Sequence, residues 1–399
     1  MQYPTVVVNV KGEELLSRRR PWLDAGCVSR LPEVFAGTVV DLADVSGVFL
    51  ARGYVEPDSL YPLRILTYER EPVDAGFFAG RLRVAAEARN RCIDPSDTTV
   101  YRVFHEEGDG ISGLTVDLYG DYVLIQYFSR GIQAFEEALV GAVRAAVQPR
   151  GIYCLSRMTR SRIYPSEPRG AHPTRLVFGS PAPEKFAVSE NGLRFLVGLT
   201  NGAKTGLYPD MRDNREAVRR QCAGADVLNT FSYTASFSVY ALAGGAAKTV
   251  NVDLSRAANE LARENYSLNG FAADGHQFIT DDVFDVMRRF IRKGRKFGTV
   301  IVDPPTFARG LKAVFRAEKD YAALCADAMR LLCPGGVLAC ALNSEELGGR
   351  WFAGALNEAA RAAKRNVRTV FSGGQGPDFP VSGSFPEGAH LKFAMLRVA

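Results

Sequence analysis

The chain has 399 residues, of which 47% are hydrophobic and 23% charged, a composition typical of globular proteins. Its 49 Lys and Arg exceed its 44 Asp and Glu, and this weak basic excess permits a nucleic-acid partner without arguing for one. Seven cysteines without a CxxC pair and only four histidines predict reduced thiols and no metal site, which argues against a disulfide-rich secreted protein. The first twenty residues do not resemble a secretory signal, and no apolar run approaches about 18 residues, so we expect a cytoplasmic protein without membrane contact.

Three regions of different pattern follow one another along the chain. Residues 1–71 contain short apolar runs broken by Gly and Asp, such as TVVVNV and GVFLARGYV, and predict a small β-rich domain. Residues 72–183 combine two helical patterns, DAGFFAGRLRVAAEARNRC and AFEEALVGAVRAAV, with apolar strands between them, and predict a small α+β domain. The end of this second region, SRMTRSRIYPSEPRGAHPTR, is rich in Pro and Arg and predicts a linker or exposed loop.

Residues 184–399 alternate between apolar strands and helices, beginning with DVLNTF, SFSVYALAGGA and TVNVDL and continuing to TVIVDPP. This alternation predicts a parallel, doubly wound sheet covered by helices on both faces. The predicted fold class is therefore a Rossmann-like α/β domain preceded by two small domains. In such sheets the ligand lies beyond the carboxyl ends of the strands.

Polar side chains occupy those strand ends. The second strand ends in Asp253, about 20 residues after the first, where an acid can accept hydrogen bonds from ribose hydroxyls. Asp282 follows the third strand, where a carboxylate can take an exocyclic amine. The alternative is that these acids only cap the helices that follow. The loop after the first strand adds four candidate cofactor-binding residues, namely Asn229, Phe231, Ser232 and Thr234.

The absence of a glycine-rich phosphate-binding motif in the first loop narrows the choice of ligand. NAD would require a G-x-G-x-x-G fingerprint to hold its pyrophosphate, and none follows the first strand. S-adenosylmethionine (SAM) has no phosphates and needs no such loop. The fourth strand ends in Asp303, and Pro304 and Pro305 then stop the strand and stiffen the turn. We expect this turn to hold the reacting end of the ligand.

Several motifs in order resemble the RlmI-like large-subunit (23S) ribosomal RNA methyltransferases, which are class I SAM-dependent enzymes with an N-terminal PUA domain. The motifs are KGEELLSRRRPWLDAG, YRVFHEEGDGISGLTVDLYGD, AKTGLYPDMRDNR, LNTFSYTASFSV, VDLSRAANELARENYSLNG, DDVF, DPPTF and SFPEGAHLKF. The resemblance covers nearly the whole chain. It implies an RNA-binding PUA-like domain at 1–71, ribosomal RNA as the substrate and SAM as the cofactor. It also implies cofactor-site roles for Asp253, Asp282, Asp303, Tyr208 and Arg212.

The sequence departs from this family in two places. Two glycines usually follow Ser-Tyr-Thr in the first turn, but this chain has Ala235 and Ser236. Relatives that methylate cytosine C5 carry Ser-Cys-Ser near the end of the fifth strand, and their thiolate attacks C6 of the ring. Here the position of that cysteine is Asn343. Cys340 lies three residues earlier, which is about 10 Å along a strand and on the opposite face, so we predict that it is a core residue.

Without that nucleophile we expect methylation of a guanine nitrogen, which has its own lone pair and needs orientation instead. The predicted catalytic set is Asp303, Pro304, Pro305 and Asn343, and Phe307 is predicted to stack on a flipped base. The alternatives are core packing for Phe307 and a functionless substitution at Asn343.

Arginine-rich stretches form the candidate RNA surface, because arginine pairs with phosphate and stacks on bases. Arg19, within the run Arg18–Arg20, and the nearby Trp22 are the predicted RNA-binding residues of the first domain. Two further groups of basic residues follow: the second is Arg157, Arg160, Arg162, Arg169 and Arg175, and the third is Arg288, Arg289, Arg292, Lys293, Arg295 and Lys296. The third group could equally be a solvated helix face.

Two other functions stay open. The chain could be a catalytically degenerate methyltransferase that only docks on the ribosome, which Ala235 and Asn343 favour. It could also methylate small molecules or protein, against which the PUA-like first domain argues. The sequence predicts no oligomeric state.

Overall fold

The computed structural model describes residues 3–158, 173–200, 202, 204–309 and 314–399, with the backbone alone at 307–309 and 314. The chain divides into two compact units. The first comprises Met1–Phe186, Gly198–Thr205 and Pro377–Gly388, and the second comprises Ala187–Val197, Gly206–Gly376 and Ala389–Ala399. The Pro- and Arg-rich segment predicted as a linker lies mostly outside the described residues.

The first unit contains two five-stranded sheets within its described residues. The N-terminal sheet has the order β1-β3-β4-β5-β2, and the second has the order β10-β9-β8-β7-β6, with helices α2 and α4 packed together. The elements in chain order are β1 (Thr5–Val7), α1 (Val10–Ser17), β2 (Trp22–Leu23), β3 (Val39–Ala43), β4 (Phe49–Val55), β5 (Leu63–Thr67), α2 (Ala75–Arg89), β6 (Val100–His105), β7 (Leu114–Tyr119), β8 (Tyr122–Tyr127), α3 (Arg130–Gln133), α4 (Glu136–Val147), β9 (Gly151–Ser156) and β10 (Arg175–Gly179).

The second unit is built on a seven-stranded sheet with the order β15-β14-β13-β16-β19-β21-β20, as counted in the described residues. A hairpin, β11–β12, precedes it, and a short two-stranded ribbon, β17–β18, follows β16. The elements are β11 (Phe186–Glu190), β12 (Leu193–Val197), α5 (Arg212–Arg219), β13 (Asp226–Thr230), α6 (Ser236–Ala243), β14 (Lys248–Asp253), α7 (Arg256–Leu268), β15 (Gln277–Thr280), α8 (Val283–Arg292), β16 (Phe297–Val302), β17 (Phe307–Arg309), β18 (Val314–Arg316), α9 (Ala317–Arg330), β19 (Leu332–Asn343), α10 (Gly349–Ala363), β20 (Val367–Gly373) and β21 (Leu391–Val398).

Both faces of this sheet are buried, which explains why its strands are continuous apolar runs. Val300 and Val302 of β16 pack with helices α8, α9 and α10, whereas Ile301 between them packs with α5 and α6 on the other face. The predicted doubly wound α/β fold is therefore confirmed. Across the described residues, no helix is both long and apolar enough to span a membrane.

The predicted parallel pairing is confirmed from β15 to β19, but one strand beyond them departs from it. β21 pairs antiparallel with β19 on one side and with β20 on the other. The fully described segment between β20 and β21 contains no α-helix. A parallel pair needs a long crossover, usually helical, whereas an antiparallel pair does not, so β21 returns in the opposite direction.

Candidate active site

The strand register brings the predicted polar residues to one edge of the sheet. Thr230, the last residue of β13, pairs with Val252 of β14 and with Val302 of β16. Asp253 and Asp303 each follow one of these partners directly, so both acids lie at the carboxyl edge beside the loop that follows β13. This is the edge at which α/β sheets bind ligands.

The loop of residues 231–235 has an unusual backbone. Phe231, Tyr233 and Ala235 all have left-handed conformations, with φ of 54°, 48° and 59°. Non-glycine residues rarely adopt this region, and such strain concentrates at functional sites. Ala235, at a position where the family resemblance predicted glycine, has the conformation that glycine adopts without strain.

Asp253 joins the loop to the end of β14. Its Oδ2 accepts the backbone N–H of Tyr233 and its Oδ1 accepts that of Ser255, both at 2.8 Å. Each carboxylate oxygen can accept a further hydrogen bond, so the group remains able to receive two ribose hydroxyls. Nearby, the Oγ of Ser232 is buried without a hydrogen-bond partner among the described residues. An oriented carboxylate and an unused hydroxyl at this edge fit the ribose and amino acid groups of SAM.

Asp282 has the capping role that was the alternative for these acids. Its Oδ1 accepts the backbone N–H groups of Phe284 at 2.9 Å and Asp285 at 3.3 Å, at the start of α8. Those bonds leave Oδ2 for an exocyclic amine, so capping and ligand binding are compatible in this geometry. The ring of Phe284 meets that of Phe231 edge-on, with centroids 6.1 Å apart.

Two predicted cofactor residues have their side chains inside the domain. Asn229 is buried, and its Nδ2 donates to Ser238 Oγ at 2.9 Å. Thr234 is also buried, and its Oγ1 donates to the carbonyl of Gly206 at 2.7 Å. The structure therefore does not direct these two side chains into the open edge of the sheet.

Tyr208 lies over the loop of residues 231–235. Its ring stacks on Tyr233 with centroids 5.5 Å apart, yet the residue remains 47% exposed. Gly206 donates its N–H to the Tyr233 hydroxyl at 2.9 Å, which fixes the approach of this segment. Arg212 is buried at the start of α5, and its Nε lies 3.2 Å from Asp213 Oδ1.

Asp303 is half-buried, and its carboxylate makes no hydrogen bond to a described residue. Burial and, to a lesser extent, the Asp210 charge raise the pKa of this carboxyl to about 7, against the opposing charge of Arg215. Pro304 is buried and Pro305 exposed. Such a carboxyl can exchange a proton near neutral pH.

The end of β19 meets the turn after Asp303. The Thr306 hydroxyl donates to the backbone carbonyl of Asn343 at 2.7 Å, and the Asn343 residue is exposed. The side chain of Phe307 lies outside the described residues. Cys340 is fully buried with its Sγ 3.4 Å from the Ala394 carbonyl, which confirms the predicted core position. Burial and the adjacent Cys325 raise the pKa of this thiol well above its ordinary value.

Sequence reasoning missed several charged residues of this site. Arg215 pairs with Glu190, 25 positions away, and His390 Nε2 lies 3.3 Å from Asp210 Oδ2 across 180 positions. Both Asp210 and Arg215 belong to the motif AKTGLYPDMRDNR, and this motif was the sequence feature that could have identified them as site residues. Their partners are distant in sequence, so no local pattern indicated the pairs.

The candidate RNA-binding arginines of the first unit are partly neutralised. Arg18 pairs with Glu14 at 2.6 Å, and Arg20 pairs with Glu387 at 3.0 Å. Arg19 forms no ion pair with a described residue and lies over the Tyr68 ring, 4.2 Å from its centroid. Trp22 is half-buried, and its Nε1 donates to Glu107 at 2.8 Å.

The other two arginine groups are also partly paired. Arg175 pairs with Glu136, Arg288 with Asp285 and Arg289 with Asp281. Arg160, Arg162 and Arg169 lie outside the described residues. Where the structure describes side chains, no cluster of three His, Cys, Asp or Glu is placed to hold a metal ion.

Comparisons with known proteins identify the family of this chain. Residues 155–394 match the S-adenosylmethionine-dependent methyltransferase family, and residues 6–68 match the PUA-like domain. Ribosomal RNA large subunit methyltransferase I of Aeromonas salmonicida (strain A449) is 36% identical over 392 residues, covering 97% of this chain and 98% of that protein. The same enzyme of Salmonella newport (strain SL254) is 35% identical over 400 residues, covering 100% and 98%.

Solved structures give the same picture. The crystal structure of SMU.776 complexed with SAH has a TM-score of 0.89 at 26% identity, covering 99% of this chain and 100% of that one. Trm5b from Pyrococcus abyssi, at 16% identity and a TM-score of 0.51 over 71% of this chain and 74% of that one, shares the fold alone. The chain therefore belongs to the S-adenosylmethionine-dependent methyltransferases, and within them to the RlmI-like large-subunit ribosomal RNA methyltransferases with an N-terminal PUA-like domain.

Proposed function

We propose that this protein methylates a guanine nitrogen of large-subunit ribosomal RNA in the cytoplasm, without a covalent protein–RNA intermediate. The observation that carries the proposal is the end of β19. The position at which cytosine C5 enzymes of the family carry their thiol is the exposed Asn343. The nearest thiol on this strand, Cys340, is fully buried and faces the Ala394 carbonyl.

The buried thiol is a poor nucleophile for two reasons. The thiolate is the reactive form, and burial raises the pKa of Cys340 so that the thiol stays protonated. The sulfur is also enclosed in the hydrophobic core shared by α8, α9 and α10, where a base cannot reach it. Cytosine C5 chemistry would need this strand to shift, because side chains three positions apart on a strand face opposite ways.

The residues at the sheet edge suit a base that brings its own lone pair. When bound, SAM supplies a methyl group on a sulfonium sulfur, which a ring nitrogen can accept directly. Asp303, with its pKa raised to about 7, can accept the N–H of the base edge and take up the proton that methylation releases. The exposed amide of Asn343 can hold the same edge by hydrogen bonds.

A catalytically degenerate methyltransferase that docks on ribosomal RNA is the second candidate, and Ala235 is the observation that favours it. A methyl group replaces a glycine hydrogen in the loop next to the cofactor site. However, Ala235 adopts φ of 59° and is fully buried, so its methyl group does not project from the loop surface. Calorimetric titration of the protein with SAM separates the two candidates, because the degenerate protein would bind no SAM.

The chemistry is tested with ribosomal RNA that contains 5-fluorocytosine. An enzyme that attacks C6 of cytosine becomes trapped on such RNA, because fluorine cannot leave from C5 as a proton does. We expect methyl transfer from labelled SAM without a denaturant-stable protein–RNA adduct, both for the wild type and for Cys340→Ala. An adduct in the wild type would contradict the proposal, and its loss in Cys340→Ala would identify Cys340 as a displaced nucleophile.

A further inference from the structure

We propose that the buried Glu190–Arg215 pair is a positioning device of the SAM site. It holds the segment Gly206–Tyr208, called the 206–208 segment below, against the 231–235 loop so that the Tyr208 ring covers the cofactor. The inference rests on the family's use of SAM and is independent of which RNA base is methylated.

The pair is unusually well enclosed. The Arg215 and Glu190 side chains are 2% and 0% exposed. Arg215 Nε donates to Glu190 Oε1 at 2.8 Å and its Nη2 donates to Oε2 at 2.7 Å, while the Tyr240 hydroxyl donates to Oε1 at 2.9 Å. Buried ion pairs often add little net stability, since apolar side chains of similar size replace them at no loss. Stability alone is therefore a weak explanation for this pair. A further hydrogen bond of Arg215, beyond those within the pair, indicates its role.

This further hydrogen bond joins Arg215 to the 206–208 segment, beside the carboxyl edge of the sheet. Arg215 Nη2, the nitrogen bound to Glu190, also donates to the backbone carbonyl of Tyr208 at 2.9 Å. Glu190 fixes the direction of this nitrogen by the two-point contact. A planar guanidinium held at two points is rigid, so it sets the position of the Tyr208 backbone.

The opposite side of the 206–208 segment is attached to the loop. Gly206 donates its N–H to the Tyr233 hydroxyl, and its carbonyl accepts from Thr234 Oγ1. The Tyr208 and Tyr233 rings stack at an interplanar angle of 26°. Tyr233 in turn donates its backbone N–H to Asp253. Arg215 thus secures one side of a segment whose other side is bound to the loop that contacts Asp253.

Gly206 shows how closely this segment is seated. Its φ is +101°, and a Cβ at this position would lie 2.7 Å from the backbone carbonyl of Leu196 on β12. A side chain here would push the segment away from the strand and would also strain the backbone. Glycine is therefore needed at position 206, where the 206–208 segment approaches the backbone of β12 closely.

The pair also acts on the reacting end of the site. The positive charge of Arg215 opposes the rise in the pKa of Asp303, whereas Asp210 supports it. Loss of the Arg215 charge should therefore shift the pKa of Asp303 upward. The pH dependence of turnover therefore reports on the charge of Arg215, separately from the SAM affinity.

The test compares two charge-neutral double variants, because removing one partner would leave a lone buried charge. Glu190→Gln/Arg215→Met removes the proposed positioning pair. Asp117→Asn/Arg102→Met removes a two-point pair in the first unit, where Arg102 Nε lies 2.5 Å from Asp117 Oδ1. Thermal unfolding establishes that both variants fold, and calorimetry without RNA measures their SAM affinity.

We expect the Glu190/Arg215 variant to bind SAM roughly tenfold or more weakly, since a hydrogen bond from a charged donor is lost, and the Asp117/Arg102 variant to stay within about twofold. Turnover by the Glu190/Arg215 variant should also increase with pH, but over a higher pH range than turnover by the wild type. A folded Glu190/Arg215 variant with wild-type SAM affinity would overturn the proposal.

If the Glu190/Arg215 variant does not fold, Tyr208→Ala decides, because this residue is largely exposed and its loss should not unfold the domain. Unchanged SAM affinity in Tyr208→Ala would overturn the proposal, whereas a loss that Tyr208→Phe restores would support it. Because the calorimetry contains no RNA, failure of the guanine proposal would leave these SAM affinities unaffected.

Discussion

The backbone N–H of Tyr233 lies 2.8 Å from Oδ2 of Asp253, so a single carboxylate orders the loop after β13 and stands at the end of β14. We predict that Asp253→Ala folds but binds SAM much more weakly. Each lost charge-assisted hydrogen bond contributes about 1.5–3 kcal/mol, which is roughly tenfold to a hundredfold in affinity.

Asp226→Ala is the matched control for this variant. Asp226 is an exposed acid at the amino end of the adjacent strand β13, at the opposite edge of the sheet. Calorimetry should give wild-type SAM affinity for Asp226→Ala. A SAM affinity of Asp253→Ala within twofold of the wild type would remove Asp253 from the cofactor site.

Ala235→Gly should stabilise the protein without lowering its SAM affinity. Ala235 has φ of 59°, and the left-handed region costs an L-residue roughly 1–2 kcal/mol that glycine avoids. Part of this gain is offset because glycine gains more entropy on unfolding, so we expect a net increase of about 1 kcal/mol.

The measurement is the free energy of unfolding in denaturant. Ala241→Gly, inside α6 and fully buried, should instead lose about 1 kcal/mol or more, because glycine weakens a helix interior. If Ala235→Gly lowered the free energy of unfolding as much as Ala241→Gly does, the strain assigned to the loop would be absent.

Asp303 should make the stability of the folded protein depend on pH. Its pKa is about 7 when folded, against an ordinary value of 3.8, so the folded state binds more protons than the unfolded state between these values. Stability contributed by the protonated carboxyl is therefore full below about pH 4 and declines as the pH rises to about 7.

Asp303→Asn lacks this titration and provides the comparison. The free energy of unfolding of the wild type, minus that of Asp303→Asn, should fall by at most about 4 kcal/mol across this pH range and then level off. A difference that is constant with pH would mean that Asp303 is an ordinary exposed carboxylate. Asp210 and Arg215, whose charges act on the pKa of Asp303 in addition to its burial, stay in place in both proteins.

Arg19 should contribute more to RNA binding than its neighbours do. Arg18 and Arg20 already pair with Glu14 and Glu387, whereas Arg19 is exposed and oriented over Tyr68. Arg19→Ala should weaken RNA binding at low salt and lower the slope of log affinity against log salt by about one, as expected for one phosphate contact. Its SAM affinity should be unchanged.

Arg256→Ala is the control for charge alone, because Arg256 is exposed and paired with Glu260 on the surface of α7. Filter binding across a salt series should give it the wild-type slope. Unchanged RNA affinity of Arg19→Ala at low salt would mean that Arg19 contacts Tyr68 only.

The sequence allowed the strands and the acids at their ends to be predicted, because both depend on local patterns. Apolar runs such as 299–302 indicate buried strands, and parallel pairing then places Asp253 and Asp303 at one edge. The direction of β21 could not be predicted, since an apolar run is the same in either direction. The family resemblance, which was confirmed, identified the cofactor more firmly than any single motif.

The details of the site depend on residues that are distant in sequence. Nothing near Arg215 indicates that Glu190 will be its partner, or that Asp210 will meet His390. The buried position of the Asn229 side chain, bonded to Ser238, likewise follows from packing between β13 and α6. Such contacts are set by tertiary structure, and local patterns do not encode them.

The most direct test of the central claim is mass spectrometry of nucleosides from large-subunit ribosomal RNA. The RNA is taken from cells lacking the gene and from the same cells complemented with the wild type, Asp253→Ala or Asn343→Ala. We predict that one methylated guanosine is missing in the deletion, that the wild type restores it, and that Asp253→Ala does not. Asn343→Ala should restore it only in part, because a lost hydrogen bond to the base edge costs about 1–3 kcal/mol. If 5-methylcytidine is the nucleoside that disappears and returns, the account of a guanine methyltransferase without a nucleophilic thiol is contradicted.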